Sequence, residues 1–291
     1  MTMLKPLFKT LRPKQWPKNL FIFAALVFDV KLFQSDPLLR TVAGFVLFCL
    51  LSSTIYIIND LVDIEKDRQH PVKKKRPLAS GQLSSKVAII AALVIGVICV
   101  PLSFALETYF GWIAIGYVIL MIAYSFFLKN MVIVDVMTIA AGFVLRVVAG
   151  VVLVHVERFS PWLYVCTTLL ALFIAVGKRR NELTLLKGSA NAHRAILNEY
   201  SLSFIDEMIS IISAATLIAY SLYTFSAENL PQNHTMMLTT PFVLYGLFRY
   251  LYLIHVKGEG GAPEEIVVKD KPLIVSFGLW ALAVVLILYL A

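Results

Sequence analysis

Asn59-Asp60-Leu61-Val62-Asp63-Ile64-Glu65-Lys66-Asp67 ends an apolar run, roughly Thr41 to Ile58, and leads into a basic loop, Lys73 to Arg76. If the helix of the apolar run continues through these residues, Asn59, Asp63 and Asp67 stand four apart. Asp60 stands three before Asp63, so all four side chains share one face. Three carboxylates and an amide on one face repel each other unless a cation sits between them. Hard oxygen donors at the mouth of a helical bundle suit Mg²⁺ holding a diphosphate, since Mg²⁺ takes one or two carboxylates and completes its shell with phosphate oxygens. The bland reading is a solvated acidic helix end.

The surrounding chain is that of a membrane protein. Of its 291 residues 59% are hydrophobic, and the mean hydropathy is +0.80. The apolar residues come in long blocks, which excludes an ordinary soluble domain. Cys49, Cys99 and Cys166 each lie inside an apolar run, with no disulfide framework or CxxC pattern, and read as small buried hydrophobes. The first apolar run lacks a clear cleavage site and more follow it, so no signal peptide is expected.

Spans are predicted at 19–34, 41–60, 87–106, 110–128, 131–154, 161–177, 207–226, 236–255 and 272–290, nine in all. Residues 1–18 are basic, with Leu4, Leu7, Phe8 and Leu11 at helical spacing, and are expected to lie along the membrane surface. With the N-terminus cytoplasmic, the inner segments are 1–18, 61–86, 129–130, 178–206 and 256–271. The predicted outer segments hold only Lys31, Arg40 and Arg158, and Arg146 and Arg249 fall within spans; the rest of the 26 Lys and Arg are inside. This positive-inside bias accounts for the net charge of +8 without nucleic acid and places the C-terminus outside. No long linker divides the chain, which reads as one domain of 1–291. Long inner loops after the second and sixth spans hint at an internal duplication.

Within the first loop, Arg68 and Arg76 are candidates to hold phosphate oxygens that a metal leaves exposed. Pro77 should keep Arg76 extended. Lys73 to Lys75 read as positive-inside anchors. The second loop opens on Gly177-Lys178-Arg179-Arg180-Asn181-Glu182, where Lys178 and Arg179 share a helical face with Glu182. A surface salt bridge and an anion site both fit that pattern. Asp135 and Arg146 put charge inside the fifth span and need partners. Tyr124 and Lys129 end the fourth span nearby. His70 and His193 have no partner at metal spacing.

On these residues the chain resembles the UbiA superfamily of intramembrane prenyltransferases. The resemblance rests on Asn59, Asp60, Asp63 and Asp67 in the N-D-x-x-D-x-x-x-D pattern, the Arg76-Pro77-Leu78-Ala79-Ser80-Gly81 continuation, nine spans and two long loops. It implies an all-α bundle around a cavity opening to the cytoplasmic side. Family members carry a second D-x-x-x-D motif after the sixth span; residues 177–182 offer three cations and one carboxylate instead. That departure is similar to the branch containing decaprenyl-phosphate phosphoribosyltransferase, as are Arg12-Pro13-Lys14-Gln15-Trp16-Pro17-Lys18-Asn19 and Gly142-Phe143-Val144-Leu145-Arg146.

The branch implies transfer of 5-phosphoribose from phosphoribosyl pyrophosphate to a polyprenyl phosphate, with Mg²⁺ as cofactor and a bacterial plasma membrane as the location. Asp60, Asp63 and Asp67 with Asn59 would hold the metal and diphosphate. Arg68, Arg76, Lys178 and Arg179 would hold phosphates, with Glu182, Asp135, Arg146, Tyr124 and Lys129 as further lining candidates. Lys14 and Lys18 would meet the lipid phosphate. Two other readings stay open: prenyl transfer to an aromatic acceptor, with Glu182 in a degenerate second site, and a non-enzymatic anion or lipid transporter marked by Asp135 and Arg146. A homo-oligomer is compatible with either.

Overall fold

The computed structural model describes residues 4–69, 73–156, 160–185, 195–228, 230–258, 266 and 269–290. His70, Arg158 and His193, together with most of 256–271 up to residue 268, lie outside these. Two compact units divide the chain, one of residues 1–26 and 31–156, the other of 27–30 and 157–291.

Unit one begins with α1 (Leu4–Thr10) and an 11-residue 3-10 helix, Pro13–Phe23, which runs on into α2 (Ala24–Phe28). Then come α3 (Ser35–Val62), the short α4 (Ile64–Gln69), α5 (Ser85–Leu106), α6 (Thr108–Phe126) and α7 (Val134–Val154). Unit two holds α8 (Pro161–Leu185), α9 (Leu202–Ser226), α10 (Thr240–His255) and α11 (Lys271–Leu290), besides α2's last two residues. The described secondary structure is all helical.

Eight of these helical segments are long and apolar enough to cross a membrane, four in each unit. The ninth expected span, 19–34, is built differently. Pro13 and Pro17 remove amide donors from the α-ladder, and the chain winds instead as a 3-10 helix that gives way to five α-helical residues. Long 3-10 runs are unusual, because their hydrogen bonds are poorer; here side-chain anchors, described below, hold the run in place. Outward apolar side chains such as Ile90 (61% exposed) and Val97 (71%) on α5 are what a lipid-facing surface requires.

Local chemistry sets the helix ends. Ser84 caps α5 by accepting from the Val87 amide, and Ser201 caps α9 from Phe204. Asp270, before α11, accepts from Leu273 and pairs with Arg249 at 2.9 Å. The Arg249 hydrogen bond holds the Asp270 carboxyl below the usual carboxylate range. Cys49 and Cys99 are buried and Cys166 half-buried, all three unbridged. On α1, Leu7 packs with Leu11 against Leu78, Leu83 and Ala88, while Leu4 and Phe8 face outward. The four apolar residues expected on one membrane-facing side are thus divided, Leu7 and Leu11 holding the segment to the protein and Leu4 and Phe8 left outward.

Unit one packs about Ile22, Phe48, Leu51, Phe110, Tyr117 and Leu153. The 3-10 helix meets α7 at Gly150, where a Cβ would sit 2.0 Å from the Ile22 carbonyl oxygen. That approach admits only glycine. Gly150→Ala is expected to cost about 1–3 kcal/mol and lower the thermal midpoint in detergent. Gly116→Ala, where a Cβ meets nothing within 4 Å, should be neutral or slightly stabilising. Equal midpoints for the two variants would disprove the close contact.

Candidate active site

The charged motif lies where the apolar ladder of α3 ends. Asp60 is in its last turn, 2% exposed. The ladder's register survives past that end, since the Asp63 amide donates to Asn59 O at 3.0 Å and the Asp67 amide to Asp63 O at 2.8 Å. At Asp63 itself, however, the backbone leaves the helical region (φ −98, ψ 12). This bend splits the face expected to carry all four side chains. Asp60 and Asp67 converge on one group of cations, and Asp63 turns to another.

Arg76 joins the first pair: its Nη1 is 3.0 Å from Asp60 Oδ1 and 2.5 Å from Asp67 Oδ2. It stands outside any helix, between the Lys73–Lys75 turn and the turn that follows, as its neighbouring proline requires. Arg12 Nη2 donates to the same Asp60 oxygen, and its guanidinium lies 5.0 Å from the centre of the Tyr56 ring. Burial lowers the pKa of Arg12; the Asp60 charge raises it and that of Arg76 lowers it further. Arginine's intrinsic basicity keeps it a cation. Asp63 takes Lys129 instead, with Nζ 2.7 and 2.8 Å from its two oxygens. Lys129 is 7% exposed, so this pair is screened little by water.

A set of anchors brings Arg12 to Asp60. Four residues on, Trp16 Nε1 donates to Ser53 Oγ at 3.0 Å. Three further, Asn19 Nδ2 donates to Ser52 Oγ at 3.3 Å, and Asn19 Oδ1 receives Arg146 Nε at 2.7 Å. Arg12, Trp16 and Asn19 therefore dock antiparallel along α3. Arg146 completes its contacts with Gly142 O (2.7 Å) and Tyr117 Oη (2.9 Å), its guanidinium 4.8 Å from the centre of the Tyr117 ring. It is a buried cation satisfied by neutral oxygens and an aromatic face. It does not pair with Asp135, which is wholly buried in the first turn of α7. In this structure Arg146 holds the N-terminal segment in place.

Other predicted residues fall elsewhere. Arg68 turns to Glu65 (2.7 Å) and to Ala79 O (3.4 Å), half exposed and away from the carboxylate pair. Lys14 is exposed; Lys18, Asn59 and Tyr124 are half-buried. Arg12 opens the Arg12–Asn19 stretch, but no local sequence pattern marks it as a partner of Asp60. A left-handed backbone at a non-glycine residue (φ 54, ψ 59) is the mark of a constrained position, but sequence does not reveal it.

In unit two, α8 continues past Gly177 and carries the second cluster. Arg179, 1% exposed, pairs with Glu182 one turn on. Arg180 Nε donates to Asp206 Oδ1 of α9 at 2.6 Å, a pairing the sequence did not suggest. The salt bridge expected as the bland alternative exists, but about a buried arginine. Lys178 is half-buried on the same helix.

Among the described residues no three His, Cys, Asp or Glu side chains converge as a metal centre. Two carboxylate oxygens do converge, on the single nitrogen of Arg76. A pair of hard oxygens around one cation is the protein share of a Mg²⁺–phosphate site, so Asp60 and Asp67 fit the ion, while Lys129 holds Asp63.

An all-helical membrane protein with carboxylates and arginines gathered at a helix end is the class that these observations define. The chain belongs to the UbiA prenyltransferase family, whose sequence pattern matches residues 20–260. It is 32% identical to decaprenyl-phosphate phosphoribosyltransferase of Corynebacterium glutamicum, over 97% of this chain and 86% of that protein. To the protein of the same name from Mycolicibacterium smegmatis it is 31% identical, over 94% and 89%. These relatives make it a transferase. Its fold is similar to a UbiA homolog from Archaeoglobus fulgidus bound to GPP and Mg²⁺, with TM-score 0.75 and 20% identity over 97% and 99% of the two chains.

Asp60→Ala would leave two guanidinium groups facing each other, with Arg12 deprived of its carboxylate and Arg76 left with Asp67 alone. A loss of about 3–5 kcal/mol is expected, and adding Arg12→Met should restore part of it. Unfolding in mixed micelles measures both. A neutral Asp60→Ala would show that the cluster contributes nothing to unit one.

Proposed function

We propose that the chain transfers 5-phosphoribose from phosphoribosyl pyrophosphate to a polyprenyl phosphate and releases diphosphate. One observation carries the choice of donor. Where a prenyl-diphosphate enzyme of this family would place a second pair of aspartates, this chain has Lys178, Arg179 and Arg180, with Glu182 already paired to Arg179. A prenyl diphosphate brings a single polar head, which two metal sites can clamp. Phosphoribosyl pyrophosphate adds a 5-phosphate and the lipid adds another phosphate, and these call for cations. The names borne by relatives alike over most of their length support the same donor and acceptor.

Asp60 and Asp67, with Asn59 beside them, would hold Mg²⁺ and the diphosphate; Asp63 contributes through its hold on Lys129. When bound, the metal neutralises charge on the departing diphosphate. Arg12 and Arg76 would donate to its remaining oxygens, and Lys178 and Arg179 would serve the other phosphates. A lipid phosphate oxygen attacks C1 of the ribose as the bond from C1 to the diphosphate oxygen breaks. The acceptor is already ionised at neutral pH, so no strong base is needed, and catalysis lies in positioning and charge neutralisation.

The Asp-motif end is assigned to the cytoplasm on the distribution of Lys and Arg, where a highly charged soluble donor is met. With that end inside, the seven crossings that follow α3 leave the C-terminus outside, and the N-terminus is cytoplasmic if Pro13–Phe28 completes a ninth crossing.

Membranes containing the protein, given labelled phosphoribosyl pyrophosphate, Mg²⁺ and polyprenyl phosphate, should move label into the lipid phase. Asp60→Asn and Asp67→Asn should each reduce the rate by about 100-fold or more, and Lys178→Ala should weaken donor binding. Failure to transfer pentose, with turnover of a prenyl diphosphate and an aromatic acceptor instead, would overturn the assignment.

A further inference from the structure

The space between Asp60 and Asp67, assigned above to a divalent cation, is filled in this structure by guanidinium groups. Asp60 Oδ1 receives Arg12 Nη2 as well as Arg76 Nη1, and Arg76 also bridges to Asp67. Two guanidiniums meet on one carboxylate oxygen, which brings like charges together even though Asp67 supplies the second negative charge. The carboxylates are 2% and 3% exposed, so water does little to offset that arrangement. Arg12 is further constrained by its left-handed backbone immediately before Pro13. Its segment is fixed independently, by Trp16 on Ser53 and Asn19 on Ser52. The guanidinium can therefore leave Asp60 while the backbone stays docked.

We propose that Arg12 and Arg76 are internal counter-cations that couple the metal to the diphosphate, so that the two bind as a pair. This rests on the reading that a metal-diphosphate occupies Asp60 and Asp67. A metal arriving alone must drive both guanidiniums off their carboxylates with no anion to receive them. A metal arriving with diphosphate lets each guanidinium exchange a carboxylate oxygen for a phosphate oxygen, which suits the arginine fork. The coupling is reciprocal, so diphosphate without metal also binds poorly. Uncoupled metal is thus kept from the site, and the leaving group arrives already neutralised.

The test measures binding of Mn²⁺ to purified protein in detergent by electron paramagnetic resonance, with and without inorganic pyrophosphate. The values are corrected for the metal's own affinity for pyrophosphate in protein-free buffer. Wild type should bind Mn²⁺ about 10-fold or more tightly with pyrophosphate. Arg12→Gln should bind Mn²⁺ alone more tightly than wild type, because a competitor is gone, and should lose most of the coupling. Arg12→Lys, which keeps the charge, should retain part of it and covers the case in which Arg12→Gln folds poorly. Equal Mn²⁺ affinity in wild type with and without pyrophosphate, abolished in both by Asp67→Asn, would overturn the coupling and leave the metal site standing. No Mn²⁺ binding under either condition would overturn both the coupling and the site.

Discussion

A carboxylate at 2% exposure, at the end of an apolar helix, stays charged only if cations are carried to it. Asp60 sets that condition for unit one. Its own neighbours in α3 cannot meet it, because the last turns of that helix hold no basic residue. The cations come from far along the chain: Arg12 from the N-terminal segment, and Arg76 from the loop beyond α4. Satisfying one side chain therefore draws on two segments distant in sequence. The second carboxylate, Asp67, shares Arg76 and ties α4 into the same group.

The rest of unit one makes that recruitment affordable. A buried arginine far from the carboxylates, Arg146, holds the Asn19 amide, and Asn19 in turn reaches α3. Gly150 lets the 3-10 helix lie backbone-to-backbone against α7. With the segment seated by these contacts, Arg12 needs only its side chain to reach Asp60, and the entropy cost of ordering it is small. The second cluster, in its own unit, follows a similar logic on α8: Arg179 is buried because Glu182 accompanies it.

Much of this was legible in the sequence, for physical reasons that differ by feature. Long apolar blocks must be helices in a membrane, so the spans could be placed, apart from the stretch headed by Pro13 and Pro17. The acidic motif was visible because like charges at helical spacing demand a cation. Its geometry was less so, since a bend at one residue, Asp63, sends that side chain to Lys129 and away from Asp60. Arg68 looked equivalent to Arg76, yet Glu65 one turn back captures it. Arg146 looked functional because membrane charge is costly, but an amide, a carbonyl and a phenol satisfy it. Arg12 lies 48 residues from its partner, and no local pattern records a contact that long.

On the proposed reading Asp60 and Asp67 form the seat of a divalent cation that carries the diphosphate. Crystals grown with Mn²⁺ and phosphoribosyl pyrophosphate, measured for anomalous scattering, test it most directly. A manganese peak is expected within coordination distance of Asp60 and Asp67, with Arg12 and Arg76 moved onto phosphate oxygens. A peak elsewhere, with both guanidiniums still on the carboxylates, would contradict it.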